Sequence, residues 1–193
     1  MTTTQFDLRL LGLVTLTTAP AMFIETLRHP RGGPEDALSA VLYGLFSVGW
    51  LCALLGLRQL NAAGTGKLGR GLLTVATVTA TLAIGQTFMD LLHVPQGHPL
   101  YMVTDLAWPL TMLLTFVISV AACFARRLPV WGRLVLLYAS FSLPVTILLG
   151  ALHLQLPFDT FGPHTATGWG LWGLLLMVLG TRRAASGSPS LAA

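Results

Sequence analysis

Thr79, Ala83, Gln86, Asp90 and His93 follow one another at spacings of 4, 3, 4 and 3, so a helix running through them carries all five on one face. Between Arg70 and Asp90 stand 19 uncharged, mostly apolar residues, which at 1.5 Å of rise each nearly cross a hydrocarbon core of roughly 30 Å. A carboxylate at the end of such a run persists only when it is hydrated, paired or protonated, and ionisable groups at membrane depth commonly mark ion, proton or ligand sites. Similar groups recur along the chain. Glu25 closes the first apolar run, and Asp105 opens the fourth, four residues before Pro109. Proline lacks an N–H, so the Asp105 carbonyl loses its helical donor and a carboxylate coincides with a free carbonyl. Glu25, Gln86, Asp90 and Asp105 are therefore the candidate substrate or proton site.

A metal centre is the second candidate. Asp90 and His93, at i and i+3 on one helix, can reach one cation, and His153 supplies a further nitrogen; zinc or a similar divalent ion suits that donor set. All five histidines (29, 93, 98, 153 and 164) and six of the seven acids lie at one set of helix ends, with only Asp7 at the other. The competing account is that lysine and arginine collect at the opposite ends and leave these groups to pair at the interface. His29, His98 and His164 are expected to be structural. Two histidines of similar depth, His93 and His153, are too little to indicate haem.

These groups must be positioned by helices in a bilayer. With 193 residues, 54% hydrophobic and 9% charged, the chain is not an ordinary soluble domain. Apolar runs bounded by charges recur at 10–27, 37–57, 71–89, 106–125, 134–152 and 165–181. The expected fold is an all-α integral membrane protein: one domain, 1–184, of six transmembrane helices spanning about 8–28, 37–58, 71–93, 102–125, 133–154 and 163–181. The remainder, 185–193, reads as a disordered cytoplasmic tail, being small and polar. Pro20 predicts a kink in the first span. A cleavable leader is not expected, because Asp7 stands against Arg9 where a basic segment would be and Pro20 occupies the Ala19–Ala21 triplet.

Nine of the eleven basic residues (Arg9, Arg58, Lys67, Arg70, Arg126, Arg127, Arg133, Arg182 and Arg183) fall at one set of helix ends, and only Arg28 and Arg31 at the other. The positive-inside rule then puts both termini in the cytoplasm of a multi-pass protein of the cell membrane. The pI near 9.7 has the same origin: the cations are spread over short loops rather than interleaved with aromatics, so nucleic acid is not an expected partner, whereas the lipid bilayer is. Cys52 and Cys123 show no ligand spacing and read as small packing residues. Gly64, Gly66 and Gly69 reproduce a G-x-G-x-x-G order, but a loop between two spans lacks the strand that a dinucleotide fingerprint requires.

The exits of the first and third spans align at an offset of 65 residues, pairing Phe23 with Phe88, Glu25 with Asp90, Leu27 with Leu92, Pro30 with Pro95, Gly32 with Gly97 and Pro34 with Pro99. A looser echo at His153, Pro157 and Gly162-Pro163 suggests helical-hairpin repeats. Glu35, Asp36 and Asp159 fall in hydrated loops and are expected to be nearly silent on substitution.

Retinal binding is disfavoured because no lysine lies within a span, and the HxxxH pattern of several membrane metallohydrolases is absent. Three functions fit the remaining pattern. A small permease or ion- or proton-coupled carrier with its acidic site near the outer face would use the kinked helices and the polar face. A membrane metalloenzyme acting on a lipid-like substrate would use the histidines and bound water. A structural or assembly partner would need neither.

Overall fold

A computed structural model describes residues 6–29, 36–141 and 161–187, together with positions 144, 145 and 148. Among the described residues the fold is all-helical. The helices are α1 (Leu8–Thr18), α2 (Pro20–Arg28), α3 (Ala37–Gln59), α4 (Lys67–Leu91), α5 (Pro99–Ala125), α6 (Val130–Ser140) and α7 (Phe161–Gly187). Four apolar stretches are long enough to cross a membrane: Leu8–Arg28, Ala37–Gln59, Lys67–Leu91 and Pro99–Ala125. They cover the first four expected spans. In the fifth, only Val130–Ser140 is described as a helix, too short to cross by itself. The sixth lies within α7, whose first half, FGPHTATGWG, is too rich in glycine and polar residues to count as apolar.

The helix ends follow from local chemistry. Asp7 caps α1 by accepting from the Arg9 N–H at 2.9 Å. Pro20 cannot donate to the Leu16 carbonyl, and the first span is interrupted at Ala19, where α2 begins. Asp36 caps α3 by accepting from the Ser39 N–H at 2.8 Å. His98 caps α5 with its ring Nδ1, ahead of Pro99 in the first turn.

The end of α4 departs from expectation. The helix stops at Leu91, Leu92 is its cap, and His93 adopts a left-handed backbone with φ of 52°. Pro95 disfavours helical geometry at Val94, which accounts for the early stop. The expected span 71–93 therefore ends two residues short, and His93 does not continue the face that carries Gln86 and Asp90.

Packing closes the helices into a ring. Each of α3, α4, α5 and α6 packs against the next described helix, and α7 returns to α1 and α2, which also pack on α3. The tightest crossing joins α1 to α7. A Cβ built on Gly12 would lie 2.5 Å from the Gly173 carbonyl oxygen, and one on Gly173 2.7 Å from the Gly12 oxygen, so only glycine permits the two backbones to touch. The centre of the ring is aromatic. Trp50 of α3, Trp108 of α5 and Trp169 of α7 stack around Phe46, with ring centres 5.6–6.4 Å apart. The Trp50 indole N–H donates to the Thr115 hydroxyl at 3.1 Å, which satisfies the one polar atom of a fully packed ring.

Candidate functional site

A cleft of about 1100 Å³ opens among α2, α3, α4 and α5, bordered also by Phe161 at the start of α7. Its lining comes from the end of α2, the start of α3, the end of α4 and the starts of α5 and α7. Neighbouring helices thus run antiparallel, and the cleft lies at the end of the bundle opposite to the basic helix termini.

Glu25, Gln86, Asp90 and Asp105, the four residues singled out from sequence, all line this cleft. They reach it from three helices. Glu25 is only 5% exposed, Asp90 is half-buried, and Asp105 is exposed at the mouth. No described lining residue is Lys or Arg. The nearest cation, Arg28, is already engaged: one guanidinium nitrogen donates to Glu25 Oε2 at 3.0 Å, the other to Asp36 Oδ2 at 2.6 Å. Asp36 lies outside the apolar stretches, and the hydrogen bonds from Arg28 first and from the Ser39 backbone second hold its carboxyl well below the usual carboxylate range. Asp36 is thus not a free loop residue, as the expectation of silence supposed, since it both caps α3 and anchors the end of α2.

Asp90 is held by a chain of hydrogen bonds. Gln86 Nε2 donates to Asp90 Oδ1 at 3.1 Å, and Thr104 Oγ1 of α5 stands 2.6 Å from Gln86 Oε1. Tyr101, a turn before Thr104, lines the same cleft. Gln86 is therefore a fixed link between α4 and α5, oriented so that its amide N–H faces the acid.

The proposed metal ligands are not brought together among the described residues. Among the described residues no three His, Cys, Asp or Glu side chains gather closely enough to hold a metal ion. His93, displaced from the helical face, is exposed and does not line the cleft; His153 lies outside the described residues. Two of the remaining histidines have structural partners. His98 caps α5, and His164 lies 2.8 Å from the Tyr138 carbonyl oxygen, joining α7 to α6 with its ring stacked 4.4 Å from that of Tyr138. His29 lines the cleft with its Nε2 3.8 Å from Glu25 Oε1, beyond hydrogen-bonding distance.

The aromatic side of the site was not read from sequence. Tyr43, Trp108 and Phe161 line the cleft, and Trp108 packs edge-on against Tyr43 and lies 6.1 Å from Phe161. A signal existed: Trp108 follows Asp105 by three residues, one turn along the same face. No family model, no curated protein and no solved structure matches this chain.

Proposed function

We propose that this chain is a multi-pass membrane protein of the cell membrane that binds a small solute or ion in the cleft, acting as a small permease or as an ion- or proton-coupled carrier. The observation that carries this proposal is that Glu25, Gln86, Asp90 and Asp105, on three different helices, line one cleft with no lysine or arginine among its described walls. Ionisable groups are retained in apolar spans at a cost, and their convergence on a shared hydrated space is the arrangement by which membrane proteins move protons or charged solutes.

The full architecture belongs to the same proposal: six transmembrane helices arranged as helical hairpins, with both termini cytoplasmic. Two features support it. The nine basic residues at the ends opposite the cleft favour a cytoplasmic location for those ends, which leaves the cleft facing outward. Glu25 and Asp90, paired by the 65-residue offset, both face the cleft. A metal-dependent reaction on a lipid lacks such support, because the described residues contain no group of three ligands.

The test is flux. Protein in liposomes containing a pH-sensitive dye is exposed to a panel of amines, amino acids and sugars under an imposed membrane potential. Wild type is expected to move protons or solute with at least one member, and Asp90→Asn to lose that flux while eluting as a folded protein. Equal flux in the two proteins, or none in wild type across the panel, rejects the proposal.

A further inference from the structure

The walls of the cleft combine two kinds of surface. Asp90 and Asp105 provide carboxylate oxygens, while Tyr43, Trp108 and Phe161 provide aromatic rings. An inorganic divalent ion needs a tight shell of oxygen or nitrogen donors at about 2.0–2.6 Å, and a cleft of about 1100 Å³ without three clustered ligands does not make one. A neutral sugar or amide would donate hydrogen bonds to the carboxylates but leave their charge uncompensated. An organic ammonium ion uses both surfaces: its charge is met by carboxylates, and its weakly hydrated alkyl groups, which share that charge, are attracted to the aromatic faces.

A second observation comes from deeper in the bundle. Trp108 and Phe161 also border a small void of about 10 Å³, walled further by Trp50, Trp169 and Thr165. Thr165 is 1% exposed, yet its hydroxyl has no hydrogen-bond partner. A threonine inside a helix ordinarily satisfies its hydroxyl on the carbonyl three or four residues earlier, as Thr111 and Thr115 do in α5. An orphaned buried hydroxyl is costly unless something meets it, and the void admits a group of about the size of one water. The Thr165 hydroxyl thus lies behind Trp108 and Phe161, the two rings that border both the void and the cleft.

We infer that the cleft is a binding site for an organic ammonium cation, held by Asp90 and Asp105 at its charge, by Trp108 and Tyr43 at its alkyl groups, and reaching Thr165 with a short polar arm. This inference rests on the solute-binding function proposed above and names the chemical class of the solute. Glu25 is left out of the ligand set because its Oε2 is already held by Arg28.

The experiment uses full-length protein in detergent, with tryptophan fluorescence and thermal stability as readouts. Choline is compared with 3,3-dimethylbutan-1-ol, its neutral isostere, with tetramethylammonium, which lacks the hydroxyl arm, and with zinc and calcium. Choline is expected to bind saturably and the isostere not. Asp90→Asn and Trp108→Leu are each expected to weaken binding about tenfold, whereas Trp108→Phe retains most of it. Thr165→Val should abolish the advantage of choline over tetramethylammonium and leave tetramethylammonium unchanged, and Thr165→Ser should restore it. Equal binding of the isostere, saturable binding of a divalent ion alone, or no response of folded wild type to either quaternary ammonium overturns the inference. Ammonium binding without flux in liposomes removes the carrier function and leaves this site standing; flux of another solute without ammonium binding does the reverse.

Discussion

The Arg28 guanidinium and the Asp36 carboxylate meet at 2.6 Å across the connection from α2 to α3. The other guanidinium nitrogen holds the buried Glu25 at 3.0 Å, so a single planar cation joins two helices and is shared between two carboxylates, one of them the most buried acid of the cleft. Lysine is a point charge and cannot serve two carboxylates in this forked manner. Arg28→Ala is expected to lower the thermal midpoint, with Arg28→Lys intermediate between it and wild type. A lysine variant as stable as wild type would show that one of the two contacts contributes nothing.

The same pair sets a pH dependence. The folded-state pKa of Asp36 is depressed by Arg28 and by the Ser39 N–H, so its stabilising contribution is complete above the unfolded value of about 3.9 and is lost as the pH falls towards the folded value. The difference in thermal midpoint between wild type and Asp36→Asn should therefore be constant from pH 8 to pH 5 and shrink below about pH 4. Asparagine keeps the cap of α3, so the difference isolates the ionic part. A difference that changed between pH 8 and pH 6 would assign the effect to another group.

Two glycines should respond in opposite directions. Gly12→Ala forces a methyl against the Gly173 carbonyl oxygen and the backbone of Met177, and is expected to destabilise by roughly 1–3 kcal/mol, as overpacking does elsewhere. A Cβ on Gly71 meets nothing within 4 Å. There the gain in helix propensity should stabilise by about 0.5–1 kcal/mol. Unfolding midpoints in a common detergent check both, and a neutral Gly12→Ala would mean that α1 and α7 separate readily.

Energetic coupling tests whether the acids share one site. Glu25→Gln/Asp90→Asn should differ from the sum of its single variants by more than about 0.5 kcal/mol. Additivity would leave the two carboxylates as independent features of the cleft wall.

Topology is open to direct measurement. Single cysteines replacing Gly97, at the cleft end, and Thr65, in the loop before α4, should be labelled oppositely by an impermeant reagent in intact cells: position 97 modified, position 65 protected. The reverse result would invert the proposed orientation.

Much of the helical layout was legible in the sequence because spans announce themselves by unbroken apolar length, and Glu25, Gln86, Asp90 and Asp105 stood out because polar groups are rare there. His93 was misplaced for a local reason, since the restriction that Pro95 puts on Val94 ends the helix before the periodicity of the face does. The aromatic wall was hidden by its own surroundings. Tyr43 and Trp50 lie on one side of α3, where helix packing explains an aromatic as well as a ligand does. The link from Thr104 through Gln86 to Asp90 depends on the vertical register of α4 against α5, which no one-dimensional spacing encodes. The Thr165 hydroxyl became notable only when three-dimensional packing left it without a partner.

The contact of Gly12 with Gly173 also bears on how the protein is made. The two residues are separated by on the order of 160 positions, which a ribosome delivers in roughly ten to thirty seconds at 5–20 residues per second. Throughout that interval α1 resides in the bilayer without its closest neighbour, its glycine notch facing lipid or a chaperone. Closure of the ring thus waits for α7, and damage to the Gly173 surface should act after insertion, at the stage where cellular quality control distinguishes a closed bundle from an open one.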